Sequence, residues 1–152
     1  MKVHKYQDTN LPEDYVDIYY REQNSQINGL FRYLETLDSI HGKNDQGIRV
    51  IPVADVYFFE TVDRKTWAYL EKDVYEVESG IHKILEEFSG KGLVQISRSM
   101  CVNIFKIDHI QADLNMRYKI FLTNGETVIM NRSFKKSFFS YLDRLTERRN
   151  RS

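Results

Sequence analysis

Arg64 and Lys65 stand at a turn between two apolar stretches, and Arg98 directly follows another, flanked by Ser97 and Ser99. Arg132 comes after a fourth such stretch, beside Asn131, with Lys135 and Lys136 one helical turn further on. Long cationic side chains held at the edges of a rigid scaffold suit duplex recognition, because some neutralise phosphates while Arg and Asn forks reach base edges. Charged residues also belong at turns in any soluble protein, so placement alone does not settle the matter. Other chemistries find less support. His4, His41, His82 and His109 are scattered, with no metal-ligand spacing such as HExxH. His82 falls on the solvent side of a short helix. The one cysteine, Cys101, excludes an intrachain disulfide, and without a CxxC or Cys/His cluster no zinc site is expected. Between Met100 and Val102 it reads as a small buried hydrophobe, not a nucleophile. Glu60 ends a strand and Asp63 starts a turn, so they do not form a carboxylate pair, and Gly90 and Gly92 follow a helix instead of opening one. No enzyme activity, cofactor, metal or small-molecule substrate is expected.

Net charge is zero, with 22 Lys/Arg against 22 Asp/Glu, and nucleic-acid-binding domains usually carry a basic excess. The charge is segregated, however. Residues 1–46 carry 5 Lys/Arg against 8 Asp/Glu (−3), residues 47–126 carry 10 against 12 (−2), and residues 127–152 carry 7 against 2 (+5). A local positive face can hold phosphate on a neutral molecule. Arg148, Arg149 and Arg151 form a basic tail, which could equally serve solubility. No apolar run approaches the roughly 20 residues of a membrane span, and Met1 opens on a mixed polar stretch without the pattern of a signal peptide. A reducing cytoplasm is the expected setting.

The elements that must position these residues are mostly short strands. Tyr15–Tyr20 has the composition of a strand. Asn24 or Ser25 caps a helix whose apolar face is Ile27, Leu30, Phe31, Leu34 and Leu37, running to about Ile40, and 41–47 supplies a polar linker with two glycines. Strands follow at 49–51, 56–62 and 66–70, with Asp63-Arg64-Lys65 as a hairpin tip, then at 74–77. A helix carries Ile81, Ile84, Leu85 and Phe88, and strands resume at 93–96 and 107–112. Tyr118–Leu122 and Thr127–Met130 flank Asn124-Gly125, a pair suited to a type I′ turn. A last helix places Phe134, Phe138, Tyr141, Leu142 and Leu145 on one face, capped by Asn131 or Ser133. The fold class is mainly β (all-β/α+β), with helices at the margins. Residues 1–46 form an N-terminal strand–strand–helix extension, 47–147 the main domain and 148–152 the tail.

Three blocks carry a resemblance. Asp55-Val-Tyr-Phe-Phe-Glu60, Gln95-Ile-Ser-Arg-Ser-Met-Cys-Val-Asn103 with Ile107, and Leu122-Thr-Asn-Gly-Glu-Thr-Val-Ile-Met-Asn-Arg132 resemble the LytTR family of bacterial DNA-binding domains, in the family's order and spacing. The resemblance implies stacked antiparallel sheets that read duplex DNA with side chains on loops and strand ends, entering successive major grooves of bent DNA. Carried over by position, the contacts fall on Arg64, Lys65 and Thr66, on Ser97 and Arg98, and on Asn131 and Arg132. Lys135 joins them as a phosphate contact. Relatives often carry Arg and His where this chain has Gln95 and Ser97, and Ser where it has Asn131, so base preference is expected to differ. Asn131 is either an adenine reader or the cap of the last helix. Glu60 and Asn103 match family positions and are assigned to internal hydrogen bonds, since a carboxylate at the DNA face would repel phosphate.

The resemblance further implies a transcription regulator acting on repeated half-sites, with two protomers as a homodimer. The residues before the domain are too few for a phosphoacceptor receiver, which is similar to the stand-alone class. Some of that class are restrained by a membrane-protein regulator. The alternative reading, from another class, is a protein-interaction module that keeps the fold without binding DNA; Gln95, Ser97 and the acidic extension are its support.

Overall fold

Phe58 and Phe59 are neighbours in sequence and both buried, yet they belong to different cores. Successive side chains of a strand point to opposite faces, so a sheet covered on both sides needs apolar residues in pairs instead of in alternation. Leu93-Val94 and Cys101-Val102 divide between the two cores in the same way.

The computed structural model describes residues 1–12 and 14–151, apart from the side chains of residues 35 and 146–151. Helix α1 (Ser25–Leu37) leads into β1 (Ser39–Asn44), β2 (Gly47–Pro52), β3 (Phe58–Val62), β4 (Lys65–Tyr69) and β5 (Val74–Val77). Helix α2 (Ile81–Glu87) is followed by β6 (Leu93–Ser97), β7 (Met100–Asn103), β8 (Ile107–Ala112), β9 (Tyr118–Leu122), β10 (Thr127–Met130) and helix α3 (Lys135–Arg151). The first seven strands form one antiparallel sheet in the order β2-β1-β5-β4-β3-β7-β6, and the last three form a second, β10-β9-β8. One face of the large sheet packs with α2 around Phe59, Ile84, Phe88 and Cys101. The opposite face closes on the small sheet and α3 around Phe58, Ile96, Ile120, Met130 and Phe138.

Several expectations from the sequence are corrected. Tyr15–Tyr20 forms no strand: Tyr15, Val16 and Tyr19 stand exposed without a neighbouring strand to pair with, and composition cannot substitute for pairing. Helix α1 starts where expected, with Asn24 Oδ1 accepting from Ile27 N at 2.9 Å, but it stops at Leu37. The supposed linker 41–47 is the turn and flanks of the β1–β2 hairpin. Its Gly42 is needed for close approach, because a Cβ there would fall 2.6 Å from Ile51 Cδ1 and 2.7 Å from Tyr75 Cβ. Residues 1–46 therefore contribute a helix and one strand of the large sheet, not two strands before a helix. Strand β7, not anticipated, fits between β3 and β6. The Asn124-Gly125 turn is not type I′, since Gly125 (φ 89) has a positive φ and Asn124 does not. It is the three-residue form, with Leu122 N donating to Glu126 O and Gly125 N to Leu122 O.

Candidate nucleic-acid interface

Two backbone hydrogen bonds bring the three expected loops to one end of the sheets. Thr61 N donates to Ser99 O at 2.8 Å, tying the end of β3 to the tip between β6 and β7. Asn131 N donates to Ile96 O at 2.9 Å, tying the end of β10 to the strand that leads into Arg98. The β3–β4 tip is a two-residue turn, with Val62 opposite Lys65 and both Asp63 (φ 53) and Arg64 (φ 66) left-handed. That is the type I′ geometry usually given to Asn-Gly. Holding an arginine there stores about 1 kcal/mol or more of strain and sets a long cation at the apex.

Arg64, Arg98 and Arg132 are exposed, and among the described residues none of their guanidinium groups has an ion-pair or hydrogen-bond partner. Lys135 is also exposed, with Nζ 5.4 Å from the Tyr118 ring centroid. It lines a shallow hollow of about 400 Å³ with Arg132, Lys136, Phe139, Ser140 and Asp143. Asn131 precedes a turn of 3-10 helix (Arg132–Phe134) and makes no capping side-chain hydrogen bond, so the cap role is not realised there. Ser97 is half-buried.

Two of the expected residues have partners within the protein, Lys65 in an exposed ion pair and Thr66 in a buried hydrogen bond. Lys65 opens β4, and its Nζ lies 3.8 Å from Glu76 Oε1, a carboxylate shared with Lys43. Thr66 is 5% exposed, with its hydroxyl 3.0 Å from that of Thr61. It braces the base of the hairpin and presents little to a ligand. The basic tail 148–152 lies outside the described side chains.

Among the described residues no buried side-chain nitrogen or oxygen lacks a hydrogen-bond partner. Asn103 is buried, its amide donating to Val56 O at 2.9 Å and accepting from Phe105 N at 3.0 Å. Burial, helped by Glu60, pushes the Tyr69 hydroxyl above its ordinary pKa. Burial also pushes the Cys101 thiol up to about 12, so this cysteine packs as a hydrophobe and does not act as a thiolate. His82 is on the surface, and His109 pairs with Asp108 while stacking on Phe121. Among the described residues no group of His, Cys, Asp and Glu could hold a metal ion, and no helix is long and apolar enough to cross a membrane.

The LytTr DNA-binding domain model matches residues 46–143. The chain belongs to the LytTR DNA-binding domain family. A solved LytTr DNA-binding domain from Bacillus cereus superposes with a TM-score of 0.65 at 22% identity, covering 69% of this chain and 96% of that one. It shows the same fold of stacked antiparallel sheets. An uncharacterized HTH-type transcriptional regulator of Staphylococcus aureus (strain MRSA252) is 24% identical over 140 residues, 90% of this chain and 95% of its own. The corresponding regulator of strain NCTC 8325 / PS 47 matches equally well. This LytTR chain contains no helix–turn–helix among its described residues, because strands separate α1, α2 and α3.

Proposed function

We propose that this LytTR protein is a transcription regulator that reads duplex DNA at the loop end, with Arg64, Arg98 and Arg132 entering the major groove and Lys135 holding phosphate. The observation that carries the reading is the convergence of three exposed, unpartnered guanidinium groups on loops tied together by backbone hydrogen bonds. A guanidinium without an internal carboxylate gives up no ion pair when it takes a base edge or a phosphate. The action is binding, not catalysis. Repeated half-sites would take two protomers, and a membrane-protein regulator would act by keeping the chain from its DNA.

The test is titration of purified protein with a duplex from upstream of its own gene and with unrelated duplex, at two salt concentrations. Preference for the upstream duplex supports the reading; equal binding at both salts ends it. Lys135→Ala should weaken both duplexes alike and make the salt slope shallower by about one phosphate contact.

A further inference from the structure

The small sheet carries two tips built to one plan. At one, Leu122 N donates to Glu126 O and Gly125 N to Leu122 O, with Gly125 at φ 89. At the other, Asp113 N donates to Arg117 O at 2.9 Å and Met116 N to Asp113 O at 3.3 Å, with Met116 at φ 62. The left-handed position takes glycine in the first and methionine in the second. Strain of this kind persists only where something offsets it. Packing does not: Met116 is 68% exposed and Leu114 is 103% exposed. The Asp113 carboxylate fixes the tip instead, accepting from Asn115 N at 2.8 Å and Arg117 N at 3.3 Å and lying 3.9 Å from Arg117 Nε.

The two tips point to opposite ends of the molecule. The glycine tip lies beside Lys106, whose carbonyl accepts from Thr123 N. The methionine tip leaves the sheet at Ala112 and Tyr118, and Tyr118 is paired with Met130, one residue before Asn131. Strands lie about 4.8 Å apart, so the tip starts within about 10 Å of the Asn131–Arg132 loop. The exposed Lys119 flanks it with positive charge, while Arg117 is paired with Asp113.

We propose that residues 113–117 form a further DNA contact, continuous with the cationic loops, in which Leu114 and Met116 press an apolar wedge into the minor groove and bend the duplex. Met and Leu are among the residues that open base steps in this way. The inference rests on the DNA-binding reading above, and its test separates the two.

The double variant L114S/M116G removes both apolar side-chain ends and relieves the left-handed methionine, so its thermal midpoint should not fall. Its affinity for the upstream duplex should drop about tenfold or more, since two apolar side chains no longer leave water. The bend read by end-to-end energy transfer should shrink, while the salt slope stays unchanged because no phosphate contact is lost. Arg98→Ala serves as the control. If Arg98→Ala weakens binding and the double variant keeps wild-type affinity and bend, the wedge is wrong and the DNA reading stands. If wild-type protein shows no preference for the upstream duplex, the DNA reading fails and the wedge with it. If the double variant alters only the sedimentation mass of the free protein, the tip joins two copies of the chain and the wedge is overturned.

Discussion

The two ends of the stacked sheets treat polar groups in opposite ways. At the end holding Gly92, Asn103 and Lys106, these three residues find partners within the protein. Asn103 serves Val56 and Phe105, Gly92 N donates to the Tyr141 hydroxyl at 2.9 Å, and the Lys106 ammonium lies 5.1 Å from the Tyr57 ring centroid. At the other end the backbone is equally well tied, through Thr61–Ser99 and Ile96–Asn131, but the guanidinium groups of Arg64, Arg98 and Arg132 are left to solvent. Strain follows the same division. Among the described residues, the non-glycine residues in left-handed conformations are Asp63, Arg64 and Met116, all at the cationic end. One end engages these polar groups internally, and the other leaves three guanidinium groups without an ion-pair or hydrogen-bond partner among the described residues.

This contrast predicts a clean separation of effects. Asn103→Ala should cost about 2–3 kcal/mol of folding stability, because it leaves a buried carbonyl and N–H without partners. DNA affinity of the folded protein should hardly change; urea denaturation beside a binding titration would show it. Loss of binding at undiminished stability would break the comparison.

Arg98→Ala and Arg132→Ala should do the reverse. Each is expected to cost about 1–3 kcal/mol of discrimination at one stretch of the site. Stability should stay within about 0.5 kcal/mol of wild type, as for exposed residues without partners. Titrations against single base-pair variants of the upstream duplex would locate the stretch that each residue reads.

Cys101, in the sheet that both ends share, makes a pH prediction. Its folded pKa is raised to about 12 from an ordinary value of 9.0, so above pH 9 the unfolded chain ionises while the folded one does not. The contribution is intact below pH 9 and is lost as pH climbs toward 12, at up to about 1.4 kcal/mol per pH unit. Urea midpoints across that range should fall more steeply for wild type than for Cys101→Ala.

The smallest effect should come from Arg64→Gly. Relieving the left-handed arginine should raise stability by about 0.5–1 kcal/mol while DNA affinity declines. A variant that is both less stable and unchanged in binding would mean that the tip is structural.

Much of this was legible in the sequence, and the missing parts share a cause. Strands β9 and β10 could be placed residue by residue because the polar Thr123–Glu126 turn separates two apolar runs, a local signal. The cap at Asn24 and the apolar face of α2 are local in the same sense. Strand β1, Ser39-Ile-His-Gly-Lys-Asn44, has no such signal, because its conformation comes from lying between β2 and β5. Tyr15–Tyr20 is the converse, a good strand composition with no strand beside it.

For the functional end, residue types and turn positions alone named Arg64, Arg98 and Arg132, and the three spaced blocks identified the family. The sequence by itself therefore determined the family and the basic residues at the turns. Tertiary structure alone decided that three turns separated by some thirty residues each share one end. It also decided that Lys65 is taken by Glu76 and Thr66 by Thr61, and that a methionine tip stands beside the cations. Partners across strands are set by register between distant segments, and no local residue pattern encodes that register.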